Sequence, residues 1–157
     1  MNASTIAYLD HAATSWPKPK AVLAAMQRWY DEVGVSADRG DGARCQIARR
    51  EVDTARRLVA DLTGTTSERV AFQSGATESL NLVLRALLGN GDAVVTTAYE
   101  HSSVVRPLVA LQRERALRLH VVPPSREGAS MVAAMQEAIA TMRPRVVVLT
   151  HASNVTG

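Results

Sequence analysis

The sequence predicts an α/β domain in which a mainly parallel sheet is covered by helices on both faces. From residue 69 onward, short apolar segments alternate with amphipathic stretches at helical spacing. The apolar segments are continuous, as is typical of strands that are buried on both faces. In such a sheet a ligand lies at the carboxyl ends of the strands, so the loops that follow the strands are the segments to search for a site.

The first part of the chain is predicted to be mainly helical. Residues 6–10 (IAYLD) form a short strand or an extended segment, and the sequence WPKPK then precedes a helix from Ala21 to Val33. A glycine-rich loop over 34–44 leads into a long helix that ends near Leu62. The predicted inner face of this helix is formed by Ala55, Leu58, Val59 and Leu62.

The remainder of the chain alternates between strands and helices. The predicted strands span residues 69–74, 93–100, 117–123 and 145–150. The predicted helices span residues 76–88, 102–115 and 131–142. Pro107 falls inside the second of these helices, where it must lie in the first turns or introduce a kink.

Composition excludes several classes of protein. Of 157 residues, 46% are hydrophobic and 21% are charged, which is ordinary for a soluble globular domain. The sequence has no apolar run near the ~20 residues that span a membrane, and no signal peptide at its start. Arginines interleaved with acidic residues predict solvated helix faces rather than a nucleic-acid surface. The single Cys45 fits a reducing compartment, so we expect a cytoplasmic protein.

The loop after the first apolar segment, QSGATES (73–79), is a candidate anion site. Gly75 is predicted to allow a tight turn, and the helix that begins near Ala76 presents free N–H groups and the positive end of its dipole. Thr77 adds a hydroxyl donor. Simple capping of the helix explains the same residues equally well.

Two further loops carry polar side chains directly after strands. In AYEHSS, His101 can cap the next helix, fill space, bind a metal or lie flat against an aromatic ring; a metal is disfavoured because no second ligand stands at a suitable spacing. In THASNVTG, Asn154 can donate to a ligand oxygen or form an Asx-turn. Together, the three loops predict a pocket for a phosphorylated planar ring.

Four motifs resemble one family in their order and spacing: YLDHAATSWPKP, SGATESLNLVLRAL, EHSSVVRPL and THASNVTG. They are similar to the N-terminal part of the class V aminotransferase-fold, pyridoxal-phosphate-dependent enzymes, above all to cysteine desulfurases and selenocysteine-lyase-like proteins. The resemblance covers nearly the whole chain but less than half of a family member. It implies a strand and helix segment over 1–35, followed over 36–157 by an incomplete large domain of the fold-type-I transferases.

The resemblance also implies roles for individual residues. The backbone from Gly75 to Thr77, including Ala76, and the Thr77 hydroxyl would hold the phosphate of pyridoxal 5′-phosphate. His101 would stack on the pyridine ring and assist proton transfer. Asn154 would bond the 3-oxygen of the ring near the substrate carboxylate. The segment around His11, Ala12 and Ala13 would form the substrate-side wall.

The chain departs from the family pattern at several points. Many relatives have asparagine where His11 stands, and Asp41 follows Gly40 where close relatives often have histidine. The family's Schiff-base lysine, the aspartate and glutamine that support the ring, the persulfide cysteine and a substrate-binding arginine have no counterpart in this sequence. The only lysines, Lys18 and Lys20, lie in the WPKPK motif, and Cys45 is not at the position of the sulfur carrier.

The sequence therefore indicates part of a cysteine desulfurase-like enzyme, which would convert L-cysteine to L-alanine and an enzyme-bound persulfide. Without the anchoring lysine, this chain alone is expected to be inactive. The resemblance implies a homodimer and a possible sulfur-acceptor protein. Selenocysteine lysis, β-elimination, transamination and a non-catalytic binding module remain as alternatives. A generic nucleotide-binding domain is disfavoured, because the sequence has neither G-x-G-x-x-G nor a P-loop lysine.

Overall fold

A computed structural model describes residues 7–153 and Val155. It divides into two compact units, one that extends to Phe72 and one that begins at Gln73. The boundary that the resemblance implies between residues 35 and 36 stays a prediction. The two units are described in turn.

The first unit is built from two helices. Helix α1 spans Lys20–Arg28, and its last turn continues as a π-helical turn over Trp29–Val33. Helix α2 spans Ala43–Thr63 and is followed by a 3₁₀ turn over Ser67–Arg69. Gly34 ends the π-helical turn at a positive φ of 58°, where a side chain would be strained.

The predicted inner face of α2 is wrong, although the helix itself is confirmed. Leu58 and Leu62 are 63% and 86% exposed, and the buried residues of this helix are Ala48 and Ala60. Periodicity locates an apolar stripe but does not specify what covers it. In the part of the first unit that the structure describes, the buried apolar side chains are those of Val33, Ala48 and Ala60.

The predicted strand over residues 69–74 is also wrong. Val70 is extended, with φ −105° and ψ 118°, but among the described residues no strand pairs with this segment. The Arg56 Nε–H donates to the Val70 carbonyl at 3.2 Å, and the Arg56 guanidinium lies 5.5 Å from the centre of the Phe72 ring. A side chain thus takes the carbonyl that a neighbouring strand would have used.

The second unit alternates helices and strands as predicted. Its elements are α3 (Ala76–Leu87), β1 (Ala93–Thr97), α4 (Ser102–Arg115), β2 (Arg118–Val122), α5 (Gly128–Met142) and β3 (Val146–Val147). The strands form a parallel sheet in the order β2-β1-β3, so the first strand is central. The pairing of β3 continues at both ends, because the Arg145 and Val148 N–H groups donate to the carbonyls of β1.

Helices cover both faces of this sheet, which confirms the predicted α/β architecture. Val94 and Val95 are adjacent in β1, and their side chains therefore point to opposite faces. Val94 packs in a core with residues from α3 and α4, among them Leu84, Leu108 and Leu111. On the other face, Val95 packs with Val122 and with Met135 and Ala138 of α5.

Local interactions define the ends of several elements. Helix α4 has the predicted bounds and continues through the buried Pro107. Strand β1 ends three residues earlier than predicted, because the Tyr99 N–H donates to the Thr97 hydroxyl and the chain turns. Within the described range, none of the helices is both long and apolar enough to cross a membrane.

Candidate functional site

Polar side chains from two neighbouring strands meet at the carboxyl end of the sheet. Because β1 and β3 are parallel neighbours, the loops that follow them emerge at the same edge. A cleft of about 430 Å³ is lined there by Glu100, His101, Thr150 and Ser153, among other residues. Two of the three loops singled out in the sequence are therefore brought together.

His101 caps helix α4. The Ser103 N–H donates to the His101 Nδ1 at 3.1 Å, and the Ser103 hydroxyl lies 2.8 Å from the same nitrogen. Since Nδ1 accepts from the backbone, the neutral imidazole carries its proton on Nε2. The residue is exposed, so the cap fixes the orientation of the ring while the ring remains accessible.

The start of α3 is open to solvent. Gly75 is the N-cap, and Ala76 and Thr77 are the first two helical residues. All three are exposed, and N–H groups in the first turn of a helix have no carbonyl partner within it. The tight turn predicted at Gly75 is wrong: its φ of 170° is ordinary extended backbone, and an added Cβ would meet nothing within 4 Å.

A carboxylate occupies part of this helix start. The Ser74 N–H and hydroxyl donate to Glu78 Oε2 at 3.0 and 2.5 Å. The hydrogen bond from the Ser74 hydroxyl, followed by that from its backbone N–H, lowers the pKa of Glu78 below its usual value of 4.5. An anion at this helix start would therefore lie close to an ionised side chain.

A second cleft, of about 370 Å³, lies between α3 and α4. Thr77 and Asn81 line it from α3, and Ser102 and Arg106 line it from α4. Ser102 also lines the cleft of His101, so the two clefts adjoin at this residue. The sequence interpretation assigned no role to Ser102 or Arg106, although their spacing of four residues places them on one helix face.

Glu100 joins the loops after β1 and β3. The Thr97 hydroxyl donates to Glu100 Oε1 at 2.7 Å, and the Thr150 N–H donates to the same oxygen at 2.9 Å. The Thr150 hydroxyl donates to Glu100 Oε2 at 2.7 Å. The sequence interpretation missed this role, because two of the three bonds connect residues that are 50 positions apart.

The remaining predicted residues belong to the first unit or fall outside the described residues. His11 and Ala12 are exposed residues of the first unit, where the His11 and Tyr8 rings form a T-shaped pair with 5.0 Å between their centroids. Residues 7–10, predicted as a strand or extended segment, form neither strand nor helix. Asn154 falls outside the described residues, so its contact with a ligand stays a prediction.

Two reactive side chains of the first unit, those of Lys18 and Cys45, have local partners. The Lys18 ammonium group donates to the Thr14 hydroxyl and, at 2.7 Å, to the Ser15 carbonyl. The Cys45 thiol lies 3.3 Å from the Arg39 carbonyl oxygen. Among residues 7–153 and 155, no group of three or more His, Cys, Asp or Glu side chains could hold a metal ion.

The alternating parallel fold, with polar loops at the carboxyl end of its sheet, agrees with one protein family. The family described as Aminotransferase class-V matches residues 7–157, and the chain belongs to this family. The predicted fold class, part of the large domain of the fold-type-I transferases, is confirmed by this match and by the solved structures of similar proteins.

Several of the similar proteins are named cysteine desulfurases. A probable cysteine desulfurase of Pyrococcus abyssi is 33% identical over 155 residues, which cover 97% of this chain and 38% of that protein. A cysteine desulfurase of Serratia proteamaculans is 32% identical and is covered to 39%. The apo structure of the cysteine desulfurase from Thermococcus onnurineus NA1 superposes with a TM-score of 0.81 at 31% identity, over 96% of this chain and 38% of that one. The chain thus spans about two fifths of the length of these relatives.

Proposed function

We propose that this chain is the N-terminal part of a pyridoxal-phosphate-dependent, cysteine desulfurase-like enzyme. The parent reaction would convert L-cysteine to L-alanine and leave the sulfur as a persulfide on the enzyme. Family membership and relatives named as cysteine desulfurases support this proposal. The observation that carries the proposal is that two clefts adjoin at Ser102. One cleft is lined by Thr77 at the start of α3, and the other is lined by the exposed His101.

The donors at the start of α3 fit a phosphate group, which would lie beside the Glu78 carboxylate that Ser74 holds. The N–H groups of Ala76 and Thr77 and the Thr77 hydroxyl are donors at the positive end of a helix. The open space over Gly75 allows an oxygen to approach the backbone more closely than a Cβ would permit. When bound, pyridoxal phosphate supplies an electron sink for the reaction.

His101 is proposed to contact the ring of the cofactor. Its Nδ1 is held by Ser103, so the imidazole is oriented before any ligand arrives. A preoriented ring loses little entropy when it stacks on a planar ligand. Its Nε2 carries the proton in the neutral form, so it is the atom that would donate a hydrogen bond or a proton to the ligand. We propose that Asn154 bonds the 3-oxygen of the ring and that His11 and Ala12 face the substrate.

Covalent attachment of the cofactor requires a lysine at the site. The 157 residues contain only Lys18 and Lys20, both within WPKPK. We therefore propose that this chain by itself binds the cofactor without a covalent bond and does not turn over substrate. In the longer protein, we propose a cytoplasmic homodimer that transfers its sulfur to an acceptor.

The phosphate site can be tested with pyridoxine 5′-phosphate, which has no aldehyde to condense with an amine. In calorimetric titrations, we expect saturable 1:1 binding, and affinity about tenfold or more weaker for unphosphorylated pyridoxine. Thr77→Val is expected to weaken binding of the phosphorylated ligand about threefold to tenfold, through loss of one hydroxyl donor.

Thr141→Val is a matched control, because Thr141 is an exposed threonine of α5. Equal affinity for the two ligands, or equal effects of the two threonine substitutions, would contradict the assignment of the phosphate site. The absence of a covalent bond has a separate test, in which the chain is mixed with pyridoxal phosphate and reduced with borohydride. We expect that adding pyridoxine 5′-phosphate as a competitor does not lower the amount of reduced adduct, because no lysine at the site forms one.

Other reactions on the same scaffold are selenocysteine lysis, β-elimination and transamination. The names of the relatives favour cysteine desulfuration. The genomic reading frame after codon 157 offers a direct check. A strand with Asp-x-x-Gln followed by a His-Lys pair would support the proposed enzyme, and a natural stop codon with a folded product would favour a non-catalytic binding module.

A further inference from the structure

We propose that Glu100 is a positioning residue, which clamps the loop after β3 to the loop after β1 so that both loops face one ligand. This inference rests on the proposed function, because it concerns the same cleft. It assigns to Glu100 no contact with the reacting atoms. Its role is to hold Thr150, where the loop after β3 begins, at a fixed position relative to His101.

The geometry of the carboxylate supports a clamp. Oε1 accepts from the Thr97 hydroxyl and the Thr150 N–H, and Oε2 accepts from the Thr150 hydroxyl. Both oxygens are thus engaged by short hydrogen bonds, at 2.7, 2.9 and 2.7 Å.

The position of Thr150 explains why such a clamp is effective. Strand β3 has only two residues, and its pairing with β1 extends to the Val148 N–H. Thr150 follows two residues later and directly precedes His151. Glu100 therefore fixes the chain at the point where it leaves the sheet and enters the loop that lines the cleft.

The same clamp acts on the histidine side of the cleft. Glu100 precedes His101, whose ring is held by Ser103 of α4. The backbone of this loop is therefore fixed on one side by the helix cap and on the other by the two threonines. The relative position of His101 and the loop after β3 is set before a ligand binds, which reduces the entropy lost on binding.

Residue-resolved amide hydrogen exchange of the full 157-residue chain tests the clamp without a ligand. In Glu100→Ala, the Thr150 amide should exchange about tenfold or more faster, because its acceptor is lost. In Glu100→Gln, exchange should stay within about threefold of the parent, because the amide oxygen can still accept and the amide nitrogen can donate to the Thr150 hydroxyl. Exchange at Ser103 should change in neither variant.

A matched control and a ligand arm complete the experiment. Glu114→Ala removes a surface carboxylate that pairs with Arg85 at 3.0 Å, and it should leave the Thr150 amide unaffected. The affinity for pyridoxine 5′-phosphate should fall about threefold to tenfold in Glu100→Ala and remain close to that of the parent in Glu100→Gln.

The outcomes separate the clamp from the proposed function. Unchanged exchange at Thr150 in Glu100→Ala would overturn the clamp, and so would equal loss of protection in the alanine and glutamine variants, which would point to the charge alone. If the parent chain does not bind pyridoxine 5′-phosphate, the proposed function fails, but the exchange rates at Thr150 still decide whether Glu100 holds the two loops together.

Discussion

The two ends of the parallel sheet are held by different chemistry. At the amino end, arginine side chains bind backbone carbonyls: Arg145 Nε–H donates to Leu87 at 2.6 Å, and Arg118 Nε–H donates to Gly91 at 3.3 Å. At the carboxyl end, the half-buried Glu100 accepts from two threonines. Exposed arginine side chains hold the loops at the amino end, whereas buried or half-buried side chains hold the loops at the carboxyl end.

We infer that the two ends of the sheet serve different purposes, stability at the amino end and ligand binding at the carboxyl end. The interactions at the amino end connect the loop between α3 and β1 to the starts of the strands, and they contribute to stability. The interactions at the carboxyl end fix polar groups around a cleft, where rigidity serves binding. Substitutions at the amino end should therefore change stability alone, and substitutions at the carboxyl end should change ligand affinity more than stability.

The largest expected effect is a loss of stability from a substitution in the core, which lies beneath both ends of the sheet. Leu108 is 1% exposed and packs in the core between the sheet and helices α3 and α4. Leu108→Ala should lower the free energy of unfolding by about 2–5 kcal/mol, through lost burial and the remaining cavity. Denaturant unfolding, with amide exchange at Val94 and Val95 as probes of the second unit, measures this effect. Leu82→Ala, at a site that is 56% exposed, is the control, and similar losses in both variants would refute the assigned core.

The next largest effect is confined to the amino end. Asp92 Oδ2 accepts from the Gly89 N–H at 2.7 Å and lies 3.5 Å from Arg145 Nε. Asp92→Ala should lower the free energy of unfolding by about 1–2 kcal/mol, mainly through the lost hydrogen bond, since exposed ion pairs contribute little. Asp92→Asn keeps an acceptor oxygen and should lose less. A large change in affinity for pyridoxine 5′-phosphate in either variant would break the distinction between the two ends.

A third prediction concerns the open space over Gly75. Gly75→Ala should lower the free energy of unfolding by no more than about 1 kcal/mol, because alanine is a poorer N-cap than glycine but the added Cβ meets nothing in the protein. It should weaken the binding of pyridoxine 5′-phosphate about threefold to tenfold, if the phosphate approaches this backbone. Gly42→Ala is matched to it, since Gly42 is also an N-cap with open space. Equal affinities of the two variants would remove Gly75 from the site.

The smallest effect is a pH dependence at the start of α3. The hydrogen bonds from Ser74 lower the pKa of Glu78, so its contribution to stability is present above the unfolded value of 4.5 and is lost as the pH falls through the lower folded value. Protection of the Ser74 amide should therefore persist at pH 5 and decline in more acidic solution. In Glu78→Gln, protection of the Ser74 amide should no longer decline in acid. If it still declines in this variant, a group other than Glu78 causes the pH dependence.

The sequence predicted those parts of the fold that depend on local pattern. Helix α4 has the predicted bounds, because His101 and the serines after it start a helix and the apolar spacing continues to Arg115. The parallel sheet was predicted because continuous apolar segments alternate with amphipathic ones. The class of fold and the edge that carries the candidate site both follow from that alternation.

Features that depend on distant partners were missed. The segment over 69–74 has the composition of a strand, but a strand requires a partner that composition does not specify, and Arg56 binds the Val70 carbonyl instead. The exposed face of α2 shows the same dependence. At the site, the sequence indicated His101 but not Glu100, whose partner Thr150 is 50 positions away.

The central position of β1 has a consequence for the growth of the sheet. In the portion of the chain that the structure describes, β2 and β3 are the edge strands, and each has a neighbour only on the side of β1. The outer side of an edge strand has unpaired backbone donors and acceptors, which a further strand can pair with. Strands can therefore be added at either margin while the middle strand keeps its neighbours, its register and the loop it delivers. The edges of such a sheet can therefore differ in strand number while the central strand β1 and the site residues that follow it stay in place.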